Sequence, residues 1–287
     1  MDTTLALIVL TSAVLHPLWN ALIKGRDNQR SYYIVFTMGL SFFAFLTALW
    51  HGHDFMQILD VWPYALWSLC GQFFYGIGLI YVLRHGDLSA FYPIVRSTPL
   101  VVVLASVLFF SASYSLMSLL FIGMVLLGGV ILQYRRGKNL LENPRILGMA
   151  ILALFGTGFY SLADAEMVQR IPASVTMAWV DGINAVLMLV FFTFIDRSFQ
   201  TTRNVSKILR HHLPFALLIG ALGFGSYQMI LYTFAQGADV ALVSTLRQAS
   251  IPVSVLIGGL YFREGAILRR FLASLVMAAG IAGILSI

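Results

Sequence analysis

Residues 86–96 read GDLSAFYPIVR and residues 237–247 read GADVALVSTLR. Each stretch leaves a glycine-led turn, enters an apolar run and ends on an arginine. The two arginines, Arg96 and Arg247, stand 151 residues apart (247 minus 96). The same offset lays Phe73 on Phe224, Tyr81 on Tyr232 and Gly129 on Gly280. Apolar residues coincide easily, but two arginines inside apolar runs at one offset do not. The chain therefore reads as a duplication, with units over residues 1–140 and 141–287.

Composition decides the medium in which the two units sit. Of 287 residues 59% are hydrophobic and 10% are charged, against about 25% charged in an ordinary soluble domain. A spanning helix needs about 20 apolar residues. Runs of that kind fall near 3–24, 30–50, 62–83, 88–110, 114–134, 146–168, 172–195, 213–235, 238–262 and 267–287. The expected fold is all-α, a polytopic membrane protein of ten transmembrane helices. Five helices per unit is an odd number, so the second unit enters the membrane in the opposite sense, and two inverted repeats surround a central cavity. Membrane strands would alternate strictly in and out, and residues 99–110 do not, which excludes a β-barrel.

The 18 Lys and Arg residues fall unevenly between the runs. Taking loops alternately, one set holds fifteen of them, including Lys24, Arg26, Arg30, Arg84, Arg197, Arg203, Lys207 and Arg210, and the opposite set holds Arg170 alone. Cytoplasmic loops retain cations, so loops 1–2, 3–4, 5–6, 7–8 and 9–10 are expected in the cytoplasm and both termini outside, in a bacterial-type inner membrane. The formal charge of +6 is spread over these loops and forms no basic stripe for nucleic acid. The single Cys70 excludes an intramolecular disulfide and a cysteine metal cage. The opening Met1-Asp2-Thr3 lacks a basic n-region, so the first run reads as a helix and not as a cleaved signal.

Arg96 and Arg247 lie about nine residues into their runs, near mid-depth at about 1.5 Å per residue. A charge there costs a few kcal/mol unless it meets a cavity or a partner. They are expected to draw in a carboxylate or phosphate; structural pairing with Asp164 or Asp181 is the other reading. On the first helix His16, Asn20 and Lys24 recur every four residues, beside Pro17 and Trp19, and form one polar face. The sixth helix carries Tyr160, Asp164 and Glu166 at the related place. Binding or gating is expected of these faces, with Asp164 or His16 as the proton carrier if transport is proton-coupled; interhelical hydrogen bonding is the alternative. Trp179 and Asp181 lie near the middle of the seventh run. Tyr75, Tyr92 and Tyr227, with Gln72, Gln228 and Gln248, are candidate cavity walls. Pro93, Pro99 and Pro252 interrupt the runs beside the arginines and are expected to kink them. Glycines such as Gly78, Gly128, Gly220 and Gly280 sit inside apolar runs, where they let helices approach. His51, His53 and Asp54, and the pair His211-His212, lack further ligands at a metal spacing, so no metal and no cofactor is expected.

Residues 15–24 (LHPLWNALIK), Gly86 to Pro99, and Gly237 to Gly265 with its Arg263-Glu264-Gly265 ending resemble the EamA family of the drug/metabolite transporter superfamily. The resemblance covers essentially the whole chain. It implies a basket of helices around a central cavity, alternating access, and export or uptake of amino acids or other small metabolites. Many members of that family resemble a pattern with the amino terminus inside, the reverse of the charge tally here. The expected function is secondary transport of a small anionic or zwitterionic metabolite by a monomer or homodimer. Its expected partners are the small-molecule substrate and the lipid bilayer. An ATP-driven pump would need a phosphate-cradling loop, and an intramembrane enzyme would need a nucleophile with its base, a carboxylate pair or a His-Glu-x-x-His motif; the sequence holds none of these. A membrane sensor subunit that transports nothing is the remaining alternative.

Overall fold

The computed structural model describes residues 2–24, 26–85, 94–133, 143–195, 199–251 and 267–286. Among them every regular element is helical and no strand occurs. The α-helices are α1 (Thr3–Lys24), α2 (Gln29–Trp50), α3 (Trp62–His85), α4 (Thr98–Phe110), α5 (Leu116–Gln133), α6 (Pro144–Val168), α7 (Ala173–Val190), α8 (Phe199–His211), α9 (Leu213–Ala235), α10 (Val240–Leu246) and α11 (Ile267–Ser286). Proline starts α4, α6 and α9, where its missing N–H is not needed. Asp239 caps α10 by accepting from the Leu242 N–H at 2.9 Å.

Five segments are long and apolar enough to cross a membrane: Gln29–Trp50, Phe55–Val82, Pro144–Val168, Ala173–Phe194 and Leu213–Ala235. Thr3–Trp19, Thr98–Phe109, Leu116–Ile131 and Leu272–Ser286 are shorter apolar helices. The outside of the bundle is apolar as well. Leu100, Leu104 and Leu108 recur every four residues on α4 and are 51%, 61% and 73% exposed. Rows of that kind suit hydrocarbon and would be an aggregation surface in water.

Three elements differ from the expected runs. The fourth run is interrupted: Ile94 to Arg96 are helical, Ser97 breaks the helix, and α4 restarts at Thr98. Pro99 accounts for this, since it has no N–H to donate to the carbonyl four residues back, that of Val95, and its ring crowds that carbonyl. The ninth run tightens after α10 into a 3₁₀ turn over Arg247–Ala249, and its later part, with Pro252, lies outside the described residues. The cationic stretch after residue 198, expected as loop, is the helix α8. Its Thr201, Val205 and Ile208 are buried while Arg203, Lys207 and Arg210 are exposed, a two-faced pattern of period 3.6.

The main helix pairs are α3 with α6, α5 with α11, α2 with α7, α2 with α9, and α1 with α9. Further contacts join α4 to α6, α3 to α7, α4 to α10 and α1 to α10. Small residues set the closest crossings. Gly39 of α2 meets Gly220 of α9, and Gly71 of α3 meets Gly156 of α6, each with backbone against backbone. Ser12 of α1 and Ser226 of α9 donate to each other's carbonyl oxygens, at 2.7 and 3.1 Å.

Candidate functional site

Helical periodicity gathers polar and aromatic side chains from six helices on the bundle axis. Tyr33, Phe36, Thr37 and Leu40 share one face of α2; Ser68, Gln72 and Tyr75 share one face of α3; Thr157, Tyr160 and Asp164 share one face of α6. With His16 and Trp19 of α1, Asp181 of α7, Gly223, Ser226 and Tyr227 of α9, and Arg247, most of these line one cavity. A second, smaller chamber is lined by Val95, Arg96, Thr98, Thr157, Ser244 and Gln248. His16, Tyr75, Tyr160 and Arg247 border both chambers and form the partition between them.

The first chamber is a cage of rings. Trp19 stacks on Phe36 at 4.0 Å and takes the edge of His16 at 5.0 Å. Tyr160 lies at the centre of a chain, 5.8 Å from Tyr75 and 6.2 Å from Tyr227. The Arg247 guanidinium lies 5.9 Å from the Tyr227 ring, close enough for the ring's negative face to attract it. At the other wall stands Asp181, 4% exposed, whose Oδ2 has no hydrogen-bond partner among the described residues. Asn184, one turn further along α7, is 1% exposed and has neither amide atom partnered among them. In the second chamber the Gln248 amide donates to the Ser244 carbonyl at 3.3 Å, and its Oε1 is left without a donor among the described residues. Buried polar groups are partnered as a rule, so the orphans that line the chambers, Asp181 and Gln248, point to a ligand or water that completes them.

Asp164 behaves differently from Asp181. It is 1% exposed and accepts hydrogen bonds from the hydroxyls of Ser68 and Tyr227. Those hydroxyls, and not an arginine, are its hydrogen-bond partners, and Asp181 forms no ion pair with Arg96 or Arg247 among the described residues. Through Tyr227 the Asp164 carboxyl is tied to the cavity wall.

The structure thus brings Arg96, Arg247, Asp181, His16, Trp19, Tyr75, Tyr160 and Tyr227 to one place, with Asp164 directly behind. Trp179 is elsewhere: it is 38% exposed, and its indole N–H donates to the Phe55 carbonyl at 2.9 Å beside an outward apolar groove. An indole at the rim of a bundle satisfies its N–H on the connecting turn while its ring stays in an apolar setting. Glu166 is also off the cavity, paired at 2.9 Å with Arg170 in the turn just past the end of α6. The backbone of Asn20 continues α1, but its side chain lies outside the described residues, as do Tyr92 and Pro93. Tyr33, Phe36, Thr37 and Ser68 were not singled out in the sequence. The i, i+3, i+4, i+7 face of α2 was a usable signal for the first three; a single serine in an apolar run such as Ser68 carried none.

No protein-family model matches the chain, and no curated protein matches it. A solved structure described only as "Crystal structure of protein" superposes with a TM-score of 0.77, covering 99% of this chain and 98% of its own, at 17% sequence identity. The chain shares that fold over its full length; at such identity the likeness concerns fold alone.

Proposed function

We propose that the chain is a secondary transporter of a small zwitterionic or anionic metabolite, working by alternating access in a bacterial-type inner membrane, as a member of the EamA type of drug/metabolite transporter. One observation carries the reading. Two chambers meet on the axis of an apolar bundle, and their walls offer the cationic Arg96 and Arg247 on one side and the buried Asp181 carboxylate on the other. A mid-membrane charge on a helix costs about 3 kcal/mol on insertion scales. Holding several around a cavity suits a cargo with opposite charges of its own.

The helix pairing supports two inverted five-helix repeats and ten crossings. If α1, α2, α3, α4 and α5 are exchanged with α6, α7, α9, α10 and α11, then α1 with α9 becomes α6 with α3, α2 with α9 becomes α7 with α3, and α4 with α6 becomes α10 with α1. All of these pairs are observed, and α2 with α7, α4 with α10 and α5 with α11 map onto themselves. Such an exchange lets two similar halves open one midplane site to either side in turn. Arg247 and Tyr160, on the partition, then hold the cargo's anion. Asp181 faces its ammonium group, and Asp164 behind Tyr227 carries the coupled proton. The cationic loops, α8 among them, face the cytoplasm, with both termini outside.

The test is flux into proteoliposomes, with the cargo first found by thermal shift of the purified protein against amino acids, organic acids and amines, since a ligand of the folded form raises apparent stability. Truncating one partner of a buried charge pair costs about 2–5 kcal/mol, so Arg247→Ala lowers cargo affinity by roughly 30-fold or more and flux with it. Arg96→Ala is expected to act in the same direction. Wild-type flux in both variants, with both inserted and folded, would remove the site assignment.

A further inference from the structure

A third cavity opens at the cationic end of the bundle, between the turn joining α1 to α2, the end of α3 and the start of α8. Arg26, Arg30 and Arg84 line it, with Asp27 as the acid among its walls, and Ile80 of α3 supplies an apolar wall. Aromatic rings hold two of the guanidinium groups: Arg26 lies 4.5 Å from the Phe215 ring, and Arg30 lies 4.9 Å from the Phe192 ring. A ring face fixes the plane of a guanidinium and leaves its N–H edge for an acceptor. The Ser31 hydroxyl donates to the Thr201 carbonyl at 3.3 Å, which ties α8 to α2 beside the cavity.

α8 extends the charge. Its exposed Arg203, Lys207 and Arg210 follow each other at i, i+4 and i+7, so they form one row on the side opposite the buried Val205 and Ile208. Leu209 of α8 and Leu213 at the start of α9 are exposed too, at 37% and 47%. Cations and leucines exposed together on a surface helix are the arrangement of a helix lying in a membrane interface.

We propose that this cavity is a binding site for the headgroup of an anionic phospholipid, with Arg26, Arg30 and Arg84 on the phosphate and the α8 row holding the surrounding anionic leaflet. Arginine's planar fork matches two phosphate oxygens at once. A lipid fits better than a free phosphate because Ile80 gives the cavity an apolar wall and the cavity lies at the end of a bundle whose outer face is rich in exposed apolar side chains. The inference is independent of what the central cavity carries, since none of its residues lines that cavity.

Thermal unfolding of the delipidated full chain in a neutral detergent tests it, with phosphatidylglycerol, phosphatidylcholine or inorganic phosphate added at low salt. Phosphatidylglycerol alone is expected to raise the midpoint. Each cation near an anionic leaflet contributes about 1 kcal/mol, which is roughly fivefold in affinity, so Arg26→Gln with Arg84→Gln weakens phosphatidylglycerol binding by roughly 25-fold. Arg170→Gln, at the opposite end, leaves it unchanged. An equal shift with phosphatidylcholine, a shift reproduced by phosphate, or full binding by the double variant would each overturn the proposal. Should the double variant not fold, the wild-type protein decides: the phosphatidylglycerol shift shrinks in high salt if arginines hold the headgroup, and a salt-independent shift refutes it.

Discussion

Gly156 and Gly148 lie on one helix, α6, and alanine at the two positions should act in opposite ways. A Cβ on Gly156 would stand 2.6 Å from the Gly71 carbonyl oxygen and 2.7 Å from the Tyr75 nitrogen of α3, whereas a Cβ on Gly148 meets nothing within 4 Å. Ordinary contact begins near about 3.5 Å, and both close atoms are backbone, so α3 and α6 must part by close to about 1 Å. The helix-propensity gain of alanine over glycine, about 0.5–1 kcal/mol, is common to both variants. Their difference in stability is therefore the contact penalty, about 1–3 kcal/mol for an overfilled core. The same crossing sets the site: Tyr75 is one turn beyond Gly71 and Tyr160 one turn beyond Gly156, with their rings 5.8 Å apart. Thermal unfolding in one detergent should show Gly148→Ala at or above wild type and Gly156→Ala clearly below it, and flux should fall for Gly156→Ala alone. Equal midpoints for the two variants, or a destabilised Gly156→Ala with wild-type flux, would refute the reasoning that this crossing positions the partition.

Asp164→Asn replaces an acceptor that faces the Ser68 and Tyr227 hydroxyls with a group that also donates, at a cost of about 1–3 kcal/mol; transport by the variant should lose its dependence on a pH gradient, and retention of that dependence would clear Asp164 of carrying a proton. A cysteine at Arg203 in a Cys70→Ser background should resist impermeant thiol reagents in intact cells and react after permeabilisation. Labelling in intact cells would reverse the topology.

Depth was legible in the sequence and direction was not. The run expected over 213–235 coincides with α9, because the length of an apolar stretch is set by the thickness of hydrocarbon it must match. What such a run does not encode is which face turns inward, since lipid and helix neighbours are equally apolar partners for leucine. The residues at the cavity that composition alone marks are accordingly those too polar to face lipid, Arg96, Arg247, Asp181 and His16 with Asp164 behind them, whereas Trp19, Tyr75, Tyr160 and Tyr227 needed their neighbours on a polar helix face as well. Trp179 was misplaced because an indole suits both a cavity wall and an interface, and only the Phe55 carbonyl beside it decides. The position of Asp164 is legible in the sequence, but its partners are not. A search for charge opposite charge points to an arginine, while the structure satisfies the carboxyl with two hydroxyls.

The charge count misled in one place for a related reason. Composition alone makes Arg203, Lys207 and Arg210 loop, because a cationic stretch between apolar runs has the make-up of a cytoplasmic connection. Their spacing, with Thr201, Val205 and Ile208 turned to the opposite side, is that of a helix lying on a surface. Composition places a segment relative to the membrane; periodicity decides whether it crosses the interface as coil or rests in it as helix. Applied to the two arginine-bearing runs, the same distinction separates Arg96 from Arg247 by more than an offset. Arg96 ends a helical fragment broken at Ser97, and Arg247 opens a 3₁₀ turn. Each cation therefore sits where regular helix gives way, and a backbone interrupted beside a cavity has room to rearrange, as the proposed exchange of access between the two halves requires.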